Sequence, residues 1–254
     1  IDIYGIRMTG SGTVAFGSLP TGFERYGLDL CGCNLDVTIA AENLTGALSV
    51  SGPGVVTNLA SFTYAGSDAG LEIRAYNASG NGGTLTVINR GALNFTGISA
   101  PESGPPVALI DANDFLTGFV NDTGGTINLS GEAIYGIRTA GRYAVDSAHG
   151  FINRGSIHAE GLVSTAVAVS GSGYNSGTIS SAVENGVALS LEGVSAQFVN
   201  DTGGVIRGDR AVSMQYGASL TNRGTIVATG ENAAVSGYST QYYRAAKLIN
   251  EGEI

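Results

Sequence analysis

Two hydrophobic patterns alternate along this chain. The first reads small–apolar–x–apolar: GIRM (Gly5–Met8), GLDL (Gly27–Leu30), ALSV (Ala47–Val50), GLEI (Gly70–Ile73), PVAL (Pro106–Leu109), GIRT (Gly136–Thr139), AVAV (Ala166–Val169), GVAL (Gly186–Leu189), AVSM (Ala211–Met214) and AVSG (Ala234–Gly237). Its second position is always aliphatic: Ile6, Leu28, Leu48, Leu71, Val107, Ile137, Val167, Val187, Val212 and Val235. Its third is polar or small, as in Arg7, Asp29, Glu72, Ala108 and Arg138. In–out–in alternation is the period of a strand, and no stretch carries the 3.6-residue period of an amphipathic helix.

The second pattern is apolar–x–Asn–turn–x–apolar, as in VINRGAL, FINRGSI and LTNRGTI. Its asparagines are Asn89, Asn121, Asn153, Asn175, Asn200, Asn222 and Asn250, spaced by 32, 32, 22, 25, 22 and 28 residues. The string FVNDTGG occurs twice, at Phe119 and Phe198, as a longer version of the NRG corner. A period of about 20–30 residues with variable insertions signals a solenoid. Three short strands per period describe one coil of a parallel β-helix, and ten copies predict about ten coils. Apolar residues of successive coils then stack about 4.8 Å apart into inward columns. The asparagines are expected to stack as well, amide on amide, and to adopt the left-handed conformation at the corner. Gly91, Gly155, Gly177, Gly224 and Gly252 are expected to supply positive φ there. Residues 1–254 read as a single β-helix segment, with both ends in mid-pattern as if cut from a longer protein.

Composition agrees. Forty glycines give about 16% of the chain against a typical ~7%, and 43% of residues are hydrophobic, so the chain is turn-rich yet not disordered. A net charge of −9 disfavours nucleic acid. The eleven arginines and single lysine, Lys247, form no basic run. No apolar stretch is long enough for a transmembrane helix. Cys31 and Cys33 are the only cysteines, too few for a four-thiolate metal site; a disulfide between them would close almost no loop, and two small residues at a turn is an equal reading.

The strings LTNRGTI, FINRGSI, YNSGTI and LINEGEI, alternating with AVxV units, resemble passenger domains of bacterial type V secreted proteins, the pertactin-like autotransporter adhesins. They are also similar to repeats of two-partner-secreted haemagglutinins. The resemblance is strong from about Leu71 onward and weaker before it. It implies a right-handed parallel β-helix, exported across the outer membrane and displayed or released, with a membrane β-barrel beyond this segment. It carries no protease motif such as GDSGG.

Several residue groups invite a functional reading. Arg207, Gly208 and Asp209 spell RGD at a predicted corner, where it would engage an integrin or arise by accident. Tyr238, Tyr242 and Tyr243, beside Arg244, would offer rigid contact area to a glycan or protein, or cover a coil end. Asp111, Asn113 and Asp114 form a small oxygen cluster suited to calcium. Asp146 and His149 lie in an inserted stretch, and His158 is the only other histidine. No adjacent carboxylate pair suggests glycoside hydrolysis, so no catalysis and no cofactor are expected. Asn-x-Ser/Thr sequons at Asn43, Asn77, Asn94, Asn121, Asn128 and Asn200 follow from turn chemistry at least at Asn121 and Asn200. The expected function is that of an adhesive surface rod contacting host or bacterial surface molecules, with self-association through flat polar faces as a further expectation. The alternative is a β-helix carbohydrate-active enzyme or a tailspike-like polysaccharide binder.

Overall fold

The computed structural model describes residues 3–9, 11–30, 35–75, 83–100, 104–114, 116–140, 150–193, 196–215, 217–238 and 245–254. Among them every strand ladder is parallel and no helix occurs. The chain winds through three strand-built faces in cyclic order, as a parallel β-helix. Face A begins with Ile3–Met8 and Arg25–Leu30 and ends with Val235–Tyr238. Face B holds ten strands in register, from Gly12–Phe16 to Lys247–Asn250. Face C includes Ser61–Gly66, Ala92–Gly97, Thr178–Ser181 and Thr225–Ala228. The single strand Thr126–Thr139 runs from face C into face A, joining the two into one 17-stranded sheet. Ten coils at about 4.8 Å give a rod of roughly 45 Å.

One continuous hydrophobic cluster fills the interior. Its columns follow from parallel register, since a residue can cover only its counterpart one coil away. On face A, Leu48, Leu71, Ile110, Ile137, Val167, Leu189, Val212 and Val235 form one column. Each such side chain contributes about 1.5–3 kcal/mol by leaving water, but only because a neighbouring coil closes over it.

Six of the ten aliphatic positions anticipated from sequence stand in that column, and four do not. Ile6 and Leu28 belong to the neighbouring column with Val50, and Leu189 replaces Val187. These are slips of two residues, which keep the same face inward. The fourth slip is of three: Ile110 takes the place expected for Val107, which is 49% exposed. The stretch before it, ISAPESGPP, shifts the strand start to Ala108.

On face B, Phe119 and Phe151 stack with ring centroids 6.5 Å apart, and Phe151 and Phe198 at 6.4 Å. The second pair reaches across an intervening coil, whose residue in this column is Gly173. A Cβ there would meet the Phe198 ring at 2.5 Å. Glycine in place of the repeat's apolar residue thus leaves the space that the Phe198 ring occupies.

The corner between faces B and C carries the asparagines. Each Nδ2 donates to the Oδ1 of the asparagine one coil on, at 2.9 Å from Asn89 to Asn121 and Asn121 to Asn153, then 2.7 Å through Asn175, Asn200, Asn222 and Asn250. An eighth member, Asn58, extends the ladder with a 2.9 Å bond to Asn89. It hides in VTNLAS, which lacks the following glycine. Each amide from Asn58 to Asn222 is fully or almost fully buried and also donates to its own turn, Asn153 excepted, as Asn222 does to the Gly224 carbonyl at 3.3 Å. Asn153 donates instead to the Thr178 carbonyl at 3.0 Å.

The conformational reason expected for this corner is not the one found. No ladder asparagine has positive φ; among the described residues the two non-glycine residues that do, Asn43 and Asn185, lie outside the ladder. Gly91, Gly155, Gly177, Gly224 and Gly252 are not left-handed either. They are glycines because of stacking: a Cβ on Gly155, Gly177, Gly224 or Gly252 would overlap the carbonyl oxygen of the glycine one coil back. Along the ladder from Asn89 to Asn250, the described turn glycines with positive φ are those of the longer FVNDTGG corners, Gly124 (85°) and Gly203 (84°).

Candidate functional site

Charged side chains on the outside of face A are gathered by the same register that builds the core. Glu72, Asp111 and Arg138 follow one another in one outward column. Arg74 Nη2 donates to Glu72 Oε1 at 2.9 Å and to Asp111 Oδ2 at 3.1 Å, and Arg138 Nε lies 3.4 Å from Asp111 Oδ1. Arg25 adds contacts to Asp68 at 3.6 Å and Glu72 at 3.9 Å. Ser49 Oγ donates to Glu72 at 3.4 Å. Burial pulls the Arg74 guanidinium pKa down, but Asp111 and Glu72 outweigh it and raise the pKa above its ordinary value. Sequence reasoning missed this group because the three-residue slip put Ala108, not Asp111, beside Glu72.

The cluster borders a groove along the edge where face C turns into face A. One cavity of about 520 Å³ is lined by Arg25, Asp68, Glu72, Asp111, Pro106 and Val107, among others. A second, of about 560 Å³, is lined by Phe23, Glu24, Thr45, Tyr64 and Gly66. The two share Ser67 and Asp68. Burial, then the Asp68 carboxylate, raises the Tyr64 phenol pKa. Gly66 has no Cβ, and one would overlap the Tyr64 hydroxyl, so this glycine lets the phenol lie at the groove.

A second charge ladder follows the asparagines. From Asn89 onward, the residue after each ladder asparagine is in turn Arg90, Asp122, Arg154, Ser176, Asp201, Arg223 and Glu251. Asp122 is held by Arg90 at 2.9 Å and Arg154 at 3.4 Å. Arg223 reaches Asp201 at 3.7 Å and Glu251 at 3.0 Å. Where Ser176 breaks the alternation, the Tyr174 hydroxyl donates to Asp201 at 2.8 Å. Burial would raise the Asp122 carboxyl pKa, but the Thr123 N–H and the two arginines bring it below the ordinary value. The Tyr174 hydroxyl, the Thr202 N–H and Arg223 lower that of Asp201. The two FVNDTGG copies therefore place an aspartate between cationic or hydroxyl donors on neighbouring coils.

The other anticipated residues are not brought together. Arg207 is exposed, but Gly208 is buried in the strand Val205–Gly208. The Asp209 carboxylate accepts from the Asn185 N–H at 2.6 Å and the Asn232 amide at 3.1 Å. The RGD tripeptide is thus part of a strand end and corner, not a projecting loop. Tyr238 is 60% exposed at the end of its strand, whereas Tyr242, Tyr243 and Arg244 lie outside the described residues, as do Cys31, Cys33, Asp146, His149 and Asn77. Asp111 belongs to the arginine cluster, while Asp114 accepts the N–H groups of Ala75 (3.3 Å) and Leu116 (3.2 Å). Among the described residues no group of three or more His, Cys, Asp or Glu is placed to hold a metal ion. His158 Nδ1 pairs with Ser180 Oγ at 3.0 Å, and its Nε2 lies 3.8 Å from Glu160. Asn121 and Asn200, two of the sequon asparagines, are fully buried in the ladder. Asn94 and Asn128 pair with each other at 2.8 Å on the exterior of face C.

Compared with known proteins, the chain matches no family, no curated protein and no solved structure.

Proposed function

We infer that this chain is a segment of an adhesive rod of the bacterial type V passenger kind, exported across the outer membrane to the cell surface or beyond. Its work is geometric: a stiff coil stack carries an irregular edge and inserted stretches toward molecules of another surface, and no chemistry is performed. The observation that carries this reading is the unbroken asparagine ladder. The very strings on which the resemblance rests are its corners, from Asn89 to Asn250. A scaffold this regular over eight coils suits presentation at a distance.

Beads coated with the 254-residue chain should adhere saturably to cultured host cells or to bacteria, and soluble chain should compete. Absence of competable adhesion to both would sink the reading.

The carbohydrate-active alternative gains one observation, the pair Glu72 and Asp111 on adjacent coils beside a groove. Both carboxylates are bound by the same guanidinium nitrogen, which favours a binding role over acid–base work. New reducing ends from polysaccharides incubated with the chain would reverse that preference.

A further inference from the structure

The groove at the edge of faces C and A offers the most developed recognition chemistry among the described residues. Its polar groups are of both signs. Asp68, Glu72 and Asp111 face the guanidiniums of Arg25, Arg74 and Arg138, and Glu24 lines the groove beside them. Most are already tied to one another at 2.9–3.9 Å, so their positions are fixed before any ligand arrives. Arg25, Glu72, Asp111 and Arg138 sit on strands paired with the coils on either side, which holds that side of the groove in register. Phe23 and Tyr64, half-buried, supply an apolar border next to the polar row.

These features select among ligands. A cation would have to compete for carboxylates already shared with arginines. An anion would meet a slight excess of negative charge on a chain of net charge −9. A peptide adding as a strand needs a free sheet edge, and the face A strands beside the groove are paired on both sides. A neutral ligand rich in hydroxyls suffers none of these penalties. Each hydroxyl both donates and accepts, so it can join an ion pair without breaking it. Coils repeat about every 4.8 Å, so donors and acceptors recur along the rod axis as they do along a sugar chain.

We propose that this groove, from Phe23 and Tyr64 to Asp68, Glu72 and Asp111, binds a neutral oligosaccharide. The proposal rests on the adhesive-rod reading and names the chemistry of one of its partners. Arg25, Asp68, Glu72 and Asp111 hydrogen-bond ligand hydroxyls, while the aromatic border and Val107 cover the apolar faces of the sugar rings.

The test is calorimetric titration of the 254-residue chain with neutral hexasaccharides of glucose, mannose, galactose and N-acetylglucosamine. An oligogalacturonate and hexa-arginine serve as anionic and cationic probes. At least one neutral hexasaccharide should bind saturably, with less than about a twofold change in affinity between roughly 50 mM and 500 mM salt. Val107→Arg, which fills the groove from an exposed position, and Asp68→Asn should each weaken that binding about tenfold or more. Both side chains are largely exposed, so circular dichroism and Tm should stay unchanged. Binding only of the charged probes, no binding of any neutral sugar, or neutral binding indifferent to both substitutions would each overturn the proposal. The bead assay separates the two readings. If the unaltered chain adheres but binds no neutral sugar, the rod stands and the groove is discarded. If it does not adhere, the rod reading falls, and the titration still decides the groove.

Discussion

Two of the three corners of each coil are built on opposite terms. Between faces B and C, the chain repeats one solution from Asn89 to Asn222: a buried amide, a charged or hydroxyl-bearing residue after it, and a glycine pressed against the coil before it. Between faces C and A the turns vary along the described coils, although neighbouring coils can share one, as the stacked Gly131 and Gly161 do. There the chain passes through Gly131 with φ 76° inside one continuous strand, through Asn185 with φ 58°, and through the groove beside Asp68. The first corner satisfies polar groups that have left water and tolerates nothing else. The second is more open to solvent, as at the exposed Asp68, so its residues are free to differ.

That contrast can be broken most forcefully in the ladder. Asn153→Ala removes an acceptor from Asn121 and a donor from Asn175 in a fully buried site. It should cost about 3 kcal/mol, read as a lower midpoint in chemical denaturation. A loss below about 1 kcal/mol would mean that water replaces the amide and that the corner is not sealed. Next comes Gly155→Ala, whose methyl would collide with the Gly125 carbonyl. About 2 kcal/mol of destabilisation is expected. Were the glycine needed for its φ rather than for space, Gly155→Asn, which tolerates the left-handed region, would cost less than Gly155→Ala; the stacking account says that it will not.

Acid should act on the outer ladder of the same corner. The carboxyls of Asp122 and Asp201 have folded pKa values below their ordinary one of about 3.8. A depressed folded pKa contributes stability that is full above the unfolded value, about 3.9, and is lost as pH falls through the folded value. The Tm advantage of the unaltered chain over Asp122→Asn should therefore be constant from neutrality to about pH 5 and vanish on further acidification. An advantage that grows in acid would contradict the assignment. The smallest effect belongs to the other corner: Asp68→Asn, at an exposed ion pair, should shift stability by less than about 0.5 kcal/mol. A larger change would show that the variable edge holds the fold together after all.

Much of this architecture is legible in the sequence because a solenoid writes its contacts as a period. Seven of the eight ladder asparagines and the parallel β-helix follow from spacing alone. What spacing does not fix is register next to an insertion. Residues 98–106 slide the strand start, so Ile110 rather than Val107 enters the core, and with it Asp111 rather than Ala108 joins Glu72. The groove was hidden by that slip, since its carboxylates come from turns and strands of different coils. Glycine was read correctly as a corner residue and for the wrong reason, because close approach between coils leaves no mark distinct from a turn. FVNDTGG likewise proved to carry more than corner geometry: its aspartates complete a column of alternating charge.

The asparagine ladder has a direction. Every Nδ2 points toward the C-terminal coil, an orientation fixed at one end by the Ala60 N–H donating to Asn58 Oδ1 and along the row by amides donating to turn carbonyls. Seven aligned, buried amide dipoles, continued by the exposed Asn250, polarise one another. The rod is thus electrically head-to-tail, with partial positive charge toward Asn250, where the carboxylates of Glu251 and Glu253 stand. The row distinguishes the two directions along the coil stack, a polarity written in side chains that are buried as far as Asn222.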